Sequence, residues 1–329
     1  MKTFHIITSI ILAALLLGCS SQRKTGNRQT KAEPVGPAFS ADSAYAFCQR
    51  QCDFGPRVMN SEAHDACGRW IASQFRAYGL TVIEQQATLR GFDGTSLKST
   101  NIIAQYKPEQ TNRILLCAHW DTRPWADNDP LEANHTQPVM GANDGASGVA
   151  VMLELARLLD AVDSTAVNAS SLGIDFICFD AEDWGSDNNP DSWALGAQHW
   201  AAHPHREGYR ARYGILLDMV GGQGATFFQE GFSKQKAPQV VDRVWQAATV
   251  VGYGSVFPQK EGGYITDDHG PVNDVAGIPC IDIIAYYPHC EQSSFGPTWH
   301  TVDDTMEHID HHTLKAVGQT LVQVIWGER

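Results

Sequence analysis

Residues 173–185 read GIDFICFDAEDWG, a strand-like apolar run that ends in two adjacent acids, Glu182 and Asp183. A second run of the same design, RILLCAHWD, ends in His119 and Asp121. Together with other apolar runs of strand length, they alternate with segments of helical periodicity. The alternation predicts an α/β fold, with a central mixed, mostly parallel, twisted sheet flanked by helices in a single domain. Strands are expected at 100–106, 114–118, 174–179, 213–219 and 278–285, and helices at 40–52, 61–79, 146–160, 237–252 and 311–326.

Polar side chains follow several of these predicted strands. In open α/β sheets, ligands bind in the crevice beyond the carboxyl ends of the strands, so these side chains are expected to meet there. Carboxylates crowded at one crevice repel each other unless a cation neutralises them. Five of the residues are of types that bind zinc through nitrogen or oxygen, which points to a metal site. They are His119, Asp144, Asp183, Asp218 and His300.

Each of these residues also has an ordinary structural interpretation. A single acid at a strand end is usually a helix cap or a solvated turn residue, and Asp144 stands just before a predicted helix. His119 alone is as readily a buried, hydrogen-bonded histidine. The conjunction of H-x-D, G-x-x-D, E-D and W-H-T, in this order and near predicted strand ends, is what favours a metal site.

Composition and the N-terminus indicate where the protein acts. The chain of 329 residues has a formal net charge of -13, which argues against nucleic acid as a partner. Residues 1–18 have the layout of a secretory signal, and Leu16-Leu17-Gly18-Cys19 resembles a bacterial lipobox. We therefore expect a lipoprotein signal peptide at 1–18, a flexible tether at 19–39 that starts at a lipidated Cys19, and a catalytic domain at 40–329. The expected location is the periplasmic side of a membrane, held only by the lipid anchor.

Six motifs, in order, carry a resemblance to a known family. The segments AHWDTRP, GANDGASG, FDAEDWG, LLDMVGG, DDHGPV and WHTVDD resemble those of the zinc-aminopeptidase-type fold. Within that fold they are most similar to the animal-type (type II) glutaminyl cyclases and their bacterial relatives. The resemblance extends from Phe54 to the C-terminus. It implies conversion of N-terminal glutamine of peptides or proteins to pyroglutamate, with release of ammonia.

The resemblance also implies a role for each site residue. One zinc per chain would be held by Asp144, Asp183 and His300, although the position of Asp183 is usually Glu in this fold. Glu182 would be the general acid/base, in a hydrogen-bonded acidic network with Asp218 and Asp267. The peptide bond after Asp144 would be cis. Phe295 and Trp299 would line the substrate pocket. Apart from the resemblance, we expect Trp193 at the same pocket, because this region is rich in tryptophan, and His119, Asp121 and Asp268 behind the ligands and the catalytic acids.

Two other functions remain open at this stage. His119 and Asp218, with a bridging Asp144, would complete the two-metal site of a zinc aminopeptidase that activates water. The local features that favour a cyclase are Trp299 directly before His300, the doublet Asp267-Asp268 and the abundance of tryptophan near the pocket. The second of these two functions, an inactive peptide-binding lipoprotein, is disfavoured because Glu182 is intact.

Overall fold

The structure, a computed structural model, describes residues 32–161 and 171–328. Its strands are β1 (Thr81–Arg90), β2 (Ser96–Tyr106), β3 (Asn112–His119), β4 (Leu172–Phe179), β5 (Gly214–Asp218) and β6 (Cys280–Ile284). They form one six-stranded sheet in the order β1-β2-β4-β3-β5-β6. The β1/β2 and β2/β4 pairs are antiparallel, and the β4/β3, β3/β5 and β5/β6 pairs are parallel. The predicted mixed, mostly parallel sheet is confirmed.

Both faces of the parallel strands are buried. In β3, Ile114 and Leu116 belong to one apolar cluster, whereas Leu115 and Cys117 belong to a cluster on the opposite face. The same alternation continues in β4 and β5. Strands covered on both sides read as near-continuous apolar runs, which is why the central strands are recognisable in the sequence.

Helices cover the sheet on both faces. They are α1 (Ala41–Cys52), α2 (Glu62–Ala77), α3 (Ala146–Ala161), α4 (Leu195–Ala202), α5 (Gly231–Lys236), α6 (Pro238–Val250), α7 (His269–Asp274) and α8 (His311–Trp326). Helices α1 and α2 begin at serine caps, Ser40 and Ser61, whose side chains accept a backbone N–H of the first turn. The apolar residues of α1, α3, α6 and α8 join the larger cluster, and those of α4 and α7 join the smaller one.

The five predicted helices and five predicted strands are all present, with end shifts of a few residues. The sequence analysis missed β1 and the short helices α4, α5 and α7. Strand β1 lies at the sheet edge with no buried residue, and three of its central residues, Glu84, Gln85 and Gln86, are polar. Such an edge strand lacks the continuous apolar run used to find the other strands.

The folded chain begins earlier than the predicted boundary at residue 40. The Val35 N–H donates to Gln323 Oε1 at 2.7 Å, and the Phe39 N–H donates to Gln319 Oε1 at 2.9 Å, both on α8. The Phe39 ring is buried and lies where Gly318 has no side chain. The predicted tether is therefore wrong for residues 33–39, because packing against a distant helix orders them.

The predicted signal peptide and Cys19 lie outside the described residues. Among the residues that are described, no helix is both long enough and apolar enough to span a membrane. The seven cysteines after Cys19 are all free thiols in the structure, and Cys117 and Cys178 are buried.

Candidate active site

The carboxyl ends of the parallel strands bring the predicted polar residues together. His119 is the last residue of β3 and Asp218 the last residue of β5, and these strands are neighbours. His119 Nε2 lies 3.2 Å from Asp218 Oδ1. Glu182 and Asp183 follow shortly after β4, the neighbour of β3 on its other side. The convergence arises from the parallel pairing, as the sequence analysis expected.

Asp144, Asp183 and His300 form a group able to hold a metal ion. One ligand atom from each lies within 4.8 Å of the other two, and all three residues are buried. His300 Nε2 is 3.3 Å from Asp183 Oδ1 and 3.7 Å from Asp144 Oδ2. Two carboxylates and one imidazole are a donor set that suits zinc. The short side chain of Asp183 reaches the group without the extra methylene of Glu.

A second group shares Asp144 with the first one. His119 Nε2 lies 2.9 Å from Asp144 Oδ1, and His119, Asp144 and Asp218 also present ligand atoms within 4.8 Å of one another. His119, which the sequence analysis placed behind the ligands, therefore contacts one of them directly. The arrangement can hold one metal at the first group, or two metals bridged by Asp144.

Asp304 positions the loop that carries Asp144. Its two carboxylate oxygens accept the backbone N–H groups of Asn143 at 2.8 Å and of Asp144 at 3.0 Å. Sequence reasoning missed this residue, although it belongs to the WHTVDD motif. The available signal was its spacing, four residues after His300, but nothing local indicates which loop it binds.

Asp121 positions the loop after β4 in the same way, by accepting hydrogen bonds from backbone N–H groups. Its Oδ1 accepts the backbone N–H of Glu182 and its Oδ2 that of Asp183, both at 3.1 Å. Arg123, which was also missed, donates from Nη1 to the Asp183 carbonyl at 3.2 Å and to Asp183 Oδ1 at 3.3 Å. Asp121 was predicted to lie behind the ligands and the catalytic acids. In the structure it orients Glu182 and Asp183 through hydrogen bonds from their backbone N–H groups.

The predicted hydrogen-bonded network of Glu182, Asp218 and Asp267 stays a prediction, and the three residues line the same pocket. In the described chain Asp218 Oδ1 lies 3.2 Å from His119 Nε2, and Asp267 Oδ1 accepts the backbone N–H of Asp268. Asp267 Oδ2 and both carboxyl oxygens of Asp268 are buried without a hydrogen-bond partner.

Burial raises the pKa values of several carboxyl groups in this site. It raises the pKa of Glu182 well above its usual value, and the carboxylates of Asp183, Asp267 and Asp268 add to the effect. It also raises the pKa of Asp218 to about 7, helped by Asp267 and Asp144 and opposed by His119. Burial likewise raises the pKa of Asp267. A raised pKa makes a carboxyl group a stronger base when ionised and keeps it able to donate the proton again, which suits Glu182 to acid/base catalysis.

These groups surround a small pocket of about 210 Å³. Eight of the nine residues predicted for catalysis, metal binding or substrate binding line it, and Asp183 lies just behind, against His300. The lining residues that sequence analysis did not select are Asp187, Met219, Tyr264, Ile265, Thr266 and Ile284.

Aromatic rings enclose the imidazole of His300 in this pocket. The Trp299 ring stacks on it at a centroid distance of 3.8 Å, and the Trp193 ring is roughly parallel to it at 6.0 Å. The Phe295 ring packs on Trp299 at 4.9 Å. The three predicted aromatic residues therefore form one apolar wall beside the metal-binding group.

Backbone strain is concentrated around the site. Six of the described non-glycine residues have positive φ angles, and four of them precede, follow or carry a site residue, namely Ala181 (55°), Ala194 (56°), Met219 (49°) and His300 (54°). Left-handed conformations are unfavourable for residues with a Cβ and persist where the surrounding packing holds them. The expected cis peptide bond after Asp144 is absent. The bond is trans, and the chain turns instead through Gly145 at φ 99°.

This fold and these motifs correspond to a known family. Residues 101–325 match peptidase family M28, which is more than half of the chain. The chain belongs to peptidase family M28. Residues 101–325 include β3 to β6 and every residue predicted for the site, so the match covers the whole crevice.

Two solved structures of this family are similar over nearly the whole folded chain. A glutaminyl cyclase of Bacteroides thetaiotaomicron, solved with bound N-acetylhistamine, is 50% identical, with a TM-score of 0.85. The match covers 90% of this chain and 100% of that one. A leucine aminopeptidase precursor of the same organism is also 50% identical, with a TM-score of 0.84 and the same coverage.

Two curated relatives are likewise an aminopeptidase and a glutaminyl-peptide cyclotransferase. The aminopeptidase YwaD of Bacillus subtilis is 29% identical over 74% of this chain, which spans about half (48%) of that protein. The glutaminyl-peptide cyclotransferase of Bos taurus is 28% identical over 68% of this chain and 64% of its own length. The family thus accommodates both chemistries, and the choice between them depends on the site.

Proposed function

We propose that this protein is a zinc-dependent glutaminyl-peptide cyclotransferase, which converts N-terminal glutamine of peptides or proteins to pyroglutamate and releases ammonia. The observation that carries the proposal is the position of Glu182. Its buried carboxyl group, with a raised pKa, lines a small pocket that is also lined by Trp299, Trp193 and Phe295. The half-identical glutaminyl cyclase of B. thetaiotaomicron supports it.

The fit of zinc rests on the donor set of Asp144, Asp183 and His300. These three residues are buried, close together and of the types that zinc prefers. We propose one zinc per chain, held by this group. When bound there, zinc would act as a Lewis acid on the γ-carbonyl of the substrate glutamine.

Glu182 would move the proton that the reaction transfers. The α-amine nitrogen of the substrate forms a bond to the δ-carbon of its own side chain, which is the carbonyl carbon of the side-chain amide, and the bond from that carbon to the amide nitrogen breaks. The Glu182 carboxylate takes a proton from the attacking amine and returns it to the leaving nitrogen, which departs as ammonia. The neighbouring acids Asp267 and Asp268 favour the protonated form of Glu182 between these two steps.

The aromatic wall would hold the substrate and keep water out. Cyclisation consumes no water, whereas water in the pocket would allow hydrolysis of the amide as a side reaction. The wall formed by Trp299, Phe295 and Trp193 also offers an apolar surface to the methylene groups of the glutamine side chain. An apolar environment favours the neutral form of the attacking amine.

A zinc-dependent aminopeptidase is the second candidate, because His119, Asp144 and Asp218 could hold another metal beside the first. Incubation of the purified protein with a Gln-initiated and a Leu-initiated peptide separates the candidates. A cyclotransferase releases ammonia from the first and leaves the second intact. Free leucine from the second would move the assignment to the peptidase. No reaction with either peptide would favour an inactive peptide-binding protein.

The N-terminal segment supports a proposal for location. We propose that residues 1–18 direct export, that Cys19 is lipidated, and that the following residues up to about 32 tether the enzyme on the periplasmic side of a membrane. The basis is the apolar run that ends in Leu16-Leu17-Gly18-Cys19. Metabolic labelling with a fatty-acid analogue should mark the full chain and not its Cys19→Ala variant. An unlabelled wild-type protein would refute lipidation.

A further inference from the structure

A second cavity of about 540 Å³ lies beside the active-site pocket. We call it the outer groove, and its floor and rim come from α4, α5, α7 and the segment before α7. It shares four lining residues with the active-site pocket, namely Trp193, Ile265, Thr266 and Asp267. The two cavities are therefore adjacent, and the shared residues form the boundary between them.

The two cavities differ in volume, and the difference indicates which part of a substrate each could hold. The inner pocket, about 210 Å³, is smaller than the usual 300–1,000 Å³ of a site for a drug-sized ligand. It suits a single amino-acid side chain with its amine. The outer groove, about 540 Å³, falls within that range. A peptide with its first residue in the inner pocket must continue elsewhere, and the groove adjoins the pocket.

Exposed apolar side chains are concentrated on these two cavities. Six large apolar side chains of the described chain are exposed, and three of them are Tyr264 on the inner pocket and Phe232 and Val275 on the outer groove. The Phe232 and Tyr264 rings meet edge to face at a centroid distance of 5.0 Å. Clustered exposed apolar groups mark binding surfaces, whereas isolated ones are ordinary.

The shared segment also offers backbone groups. Thr266 is exposed, and within the described chain its backbone N–H and carbonyl make no hydrogen bond. A peptide that leaves the inner pocket along this segment could pair with them, as added strands do at open edges. The charged side chains Lys236 and Asp274 at the groove pair with each other at 2.6 Å, so their charges offset each other.

We propose that the outer groove binds the second and third residues of the substrate peptide and favours apolar side chains there. This inference rests on the proposed cyclotransferase function. Phe232 and Val275 would supply the apolar contacts, and Thr266 the backbone contacts. The selected substrates are thus Gln-initiated chains with an apolar residue at position two or three.

Three substrates test the groove separately from the chemistry. They are glutamine amide, which reaches only the inner pocket, and two tripeptide amides of equal length, Gln-Phe-Leu-amide and Gln-Gly-Gly-amide. The wild-type protein is expected to prefer the apolar tripeptide by roughly tenfold in kcat/KM. The double variant Phe232→Ser/Val275→Ser should lose most of that preference. The matched control Leu131→Ser alters a side chain that is 65% exposed and lines neither cavity, and should keep it.

Each outcome has a definite meaning. Formation of pyroglutamyl amide from glutamine amide by the wild-type protein, identified by mass spectrometry, establishes the proposed function whatever the groove does. Equal kcat/KM for the two tripeptides in the wild type, or an unchanged preference in the double variant, overturns the groove assignment alone. A wild-type protein that converts none of the three substrates overturns the proposed function, and this inference falls with it. Thermal unfolding midpoints near that of the wild type verify that the variants are folded.

Discussion

Asp304 accepts a hydrogen bond from the backbone N–H of Asp144 at 3.0 Å, and its other oxygen accepts the N–H of Asn143. The two aspartates are 160 residues apart in the chain. Asp304 thereby sets the direction in which the Asp144 carboxylate enters the metal-binding group. Groups that orient metal ligands in this way contribute to affinity without touching the metal.

We expect Asp304→Asn to weaken zinc binding by about 10- to 100-fold, because the new amide NH₂ group would face a backbone N–H donor. Chelator competition monitored by zinc content is the measurement. Asp303→Asn is the matched control, since Asp303 is the exposed neighbour. Equal zinc affinity in the two variants would show that Asp304 does not position Asp144.

Replacement of Glu182 tests the proton transfer. Glu182→Gln keeps the shape of the side chain but removes the titratable group, and general acid/base catalysis contributes about 10² to 10⁴ in rate. Turnover should fall by at least that factor while zinc content is unchanged. Asp187→Asn, an exposed carboxyl group that lines the same pocket, should have little effect. Near-normal turnover in Glu182→Gln would remove this residue from the mechanism.

The dependence of kcat/KM on pH should also show the ionisation of Glu182. Glu182 must be ionised to accept the proton of the amine, so activity declines as the pH falls through its pKa. Burial raises this pKa above the ordinary 4.5, and the acidic limb of kcat/KM should lie correspondingly higher. The residual activity of Glu182→Gln should lack this limb. A limb that persists in the variant would belong to another group.

Metal stoichiometry separates the two candidate functions. Asp218 contacts His119, and burial raises its pKa to about 7, so a second metal at this group would have to displace a proton from Asp218. We expect one tightly held zinc per chain in metal-saturated protein. Asp218→Ala should retain that zinc yet lose most activity, whereas in a two-metal peptidase it should lower metal content. Two tightly held ions in the wild-type protein would contradict the cyclotransferase assignment.

The ionisation of Glu230, a residue near the pocket, should make the free energy of unfolding depend on pH. Its carboxylate caps α5 and accepts the backbone N–H groups of Ser233 at 2.6 Å and Ile265 at 3.0 Å. Burial alone would raise its pKa, but His269 and Ser233 outweigh burial and lower it to about 2. The stabilisation is therefore fully present above the unfolded-state pKa near 4.5, and is lost as the pH falls from there towards 2.

Replacement of the carboxylate should show this dependence. Glu230→Gln should lower the free energy of unfolding by about 1.5–3 kcal/mol at pH 7, the range for hydrogen bonds to a charged group. The difference from the wild type should shrink as the pH falls below 4.5. Denaturant unfolding at several pH values measures it, with Glu261→Gln, an exposed glutamate, as control. A difference that does not vary with pH would show that the charge is unimportant.

The order of elements and the location of the site follow from the sequence alone. Strand and helix periodicities are local properties, so runs such as GIDFICFDA identify β4 without knowledge of its neighbours. Because parallel strands share one carboxyl edge, polar residues at the ends of β3, β4 and β5 were expected to meet. The pocket-lining positions of Trp299, Phe295 and Trp193 were likewise expected, from the resemblance, from Trp299 adjoining His300 and, for Trp193, from the abundance of tryptophan in this region.

Tertiary structure alone decided which groups contact each other within that site. Asp304 and Asp121 act through backbone N–H groups of loops that are distant in sequence, and no local pattern indicates such pairings. The same holds for Asp218, which contacts His119 because of how β3 and β5 align. Residues 33–39 are ordered by contacts with α8, nearly 300 positions away. Side-chain direction and long-range packing depend on the whole folded chain, and therefore cannot be read from spacing.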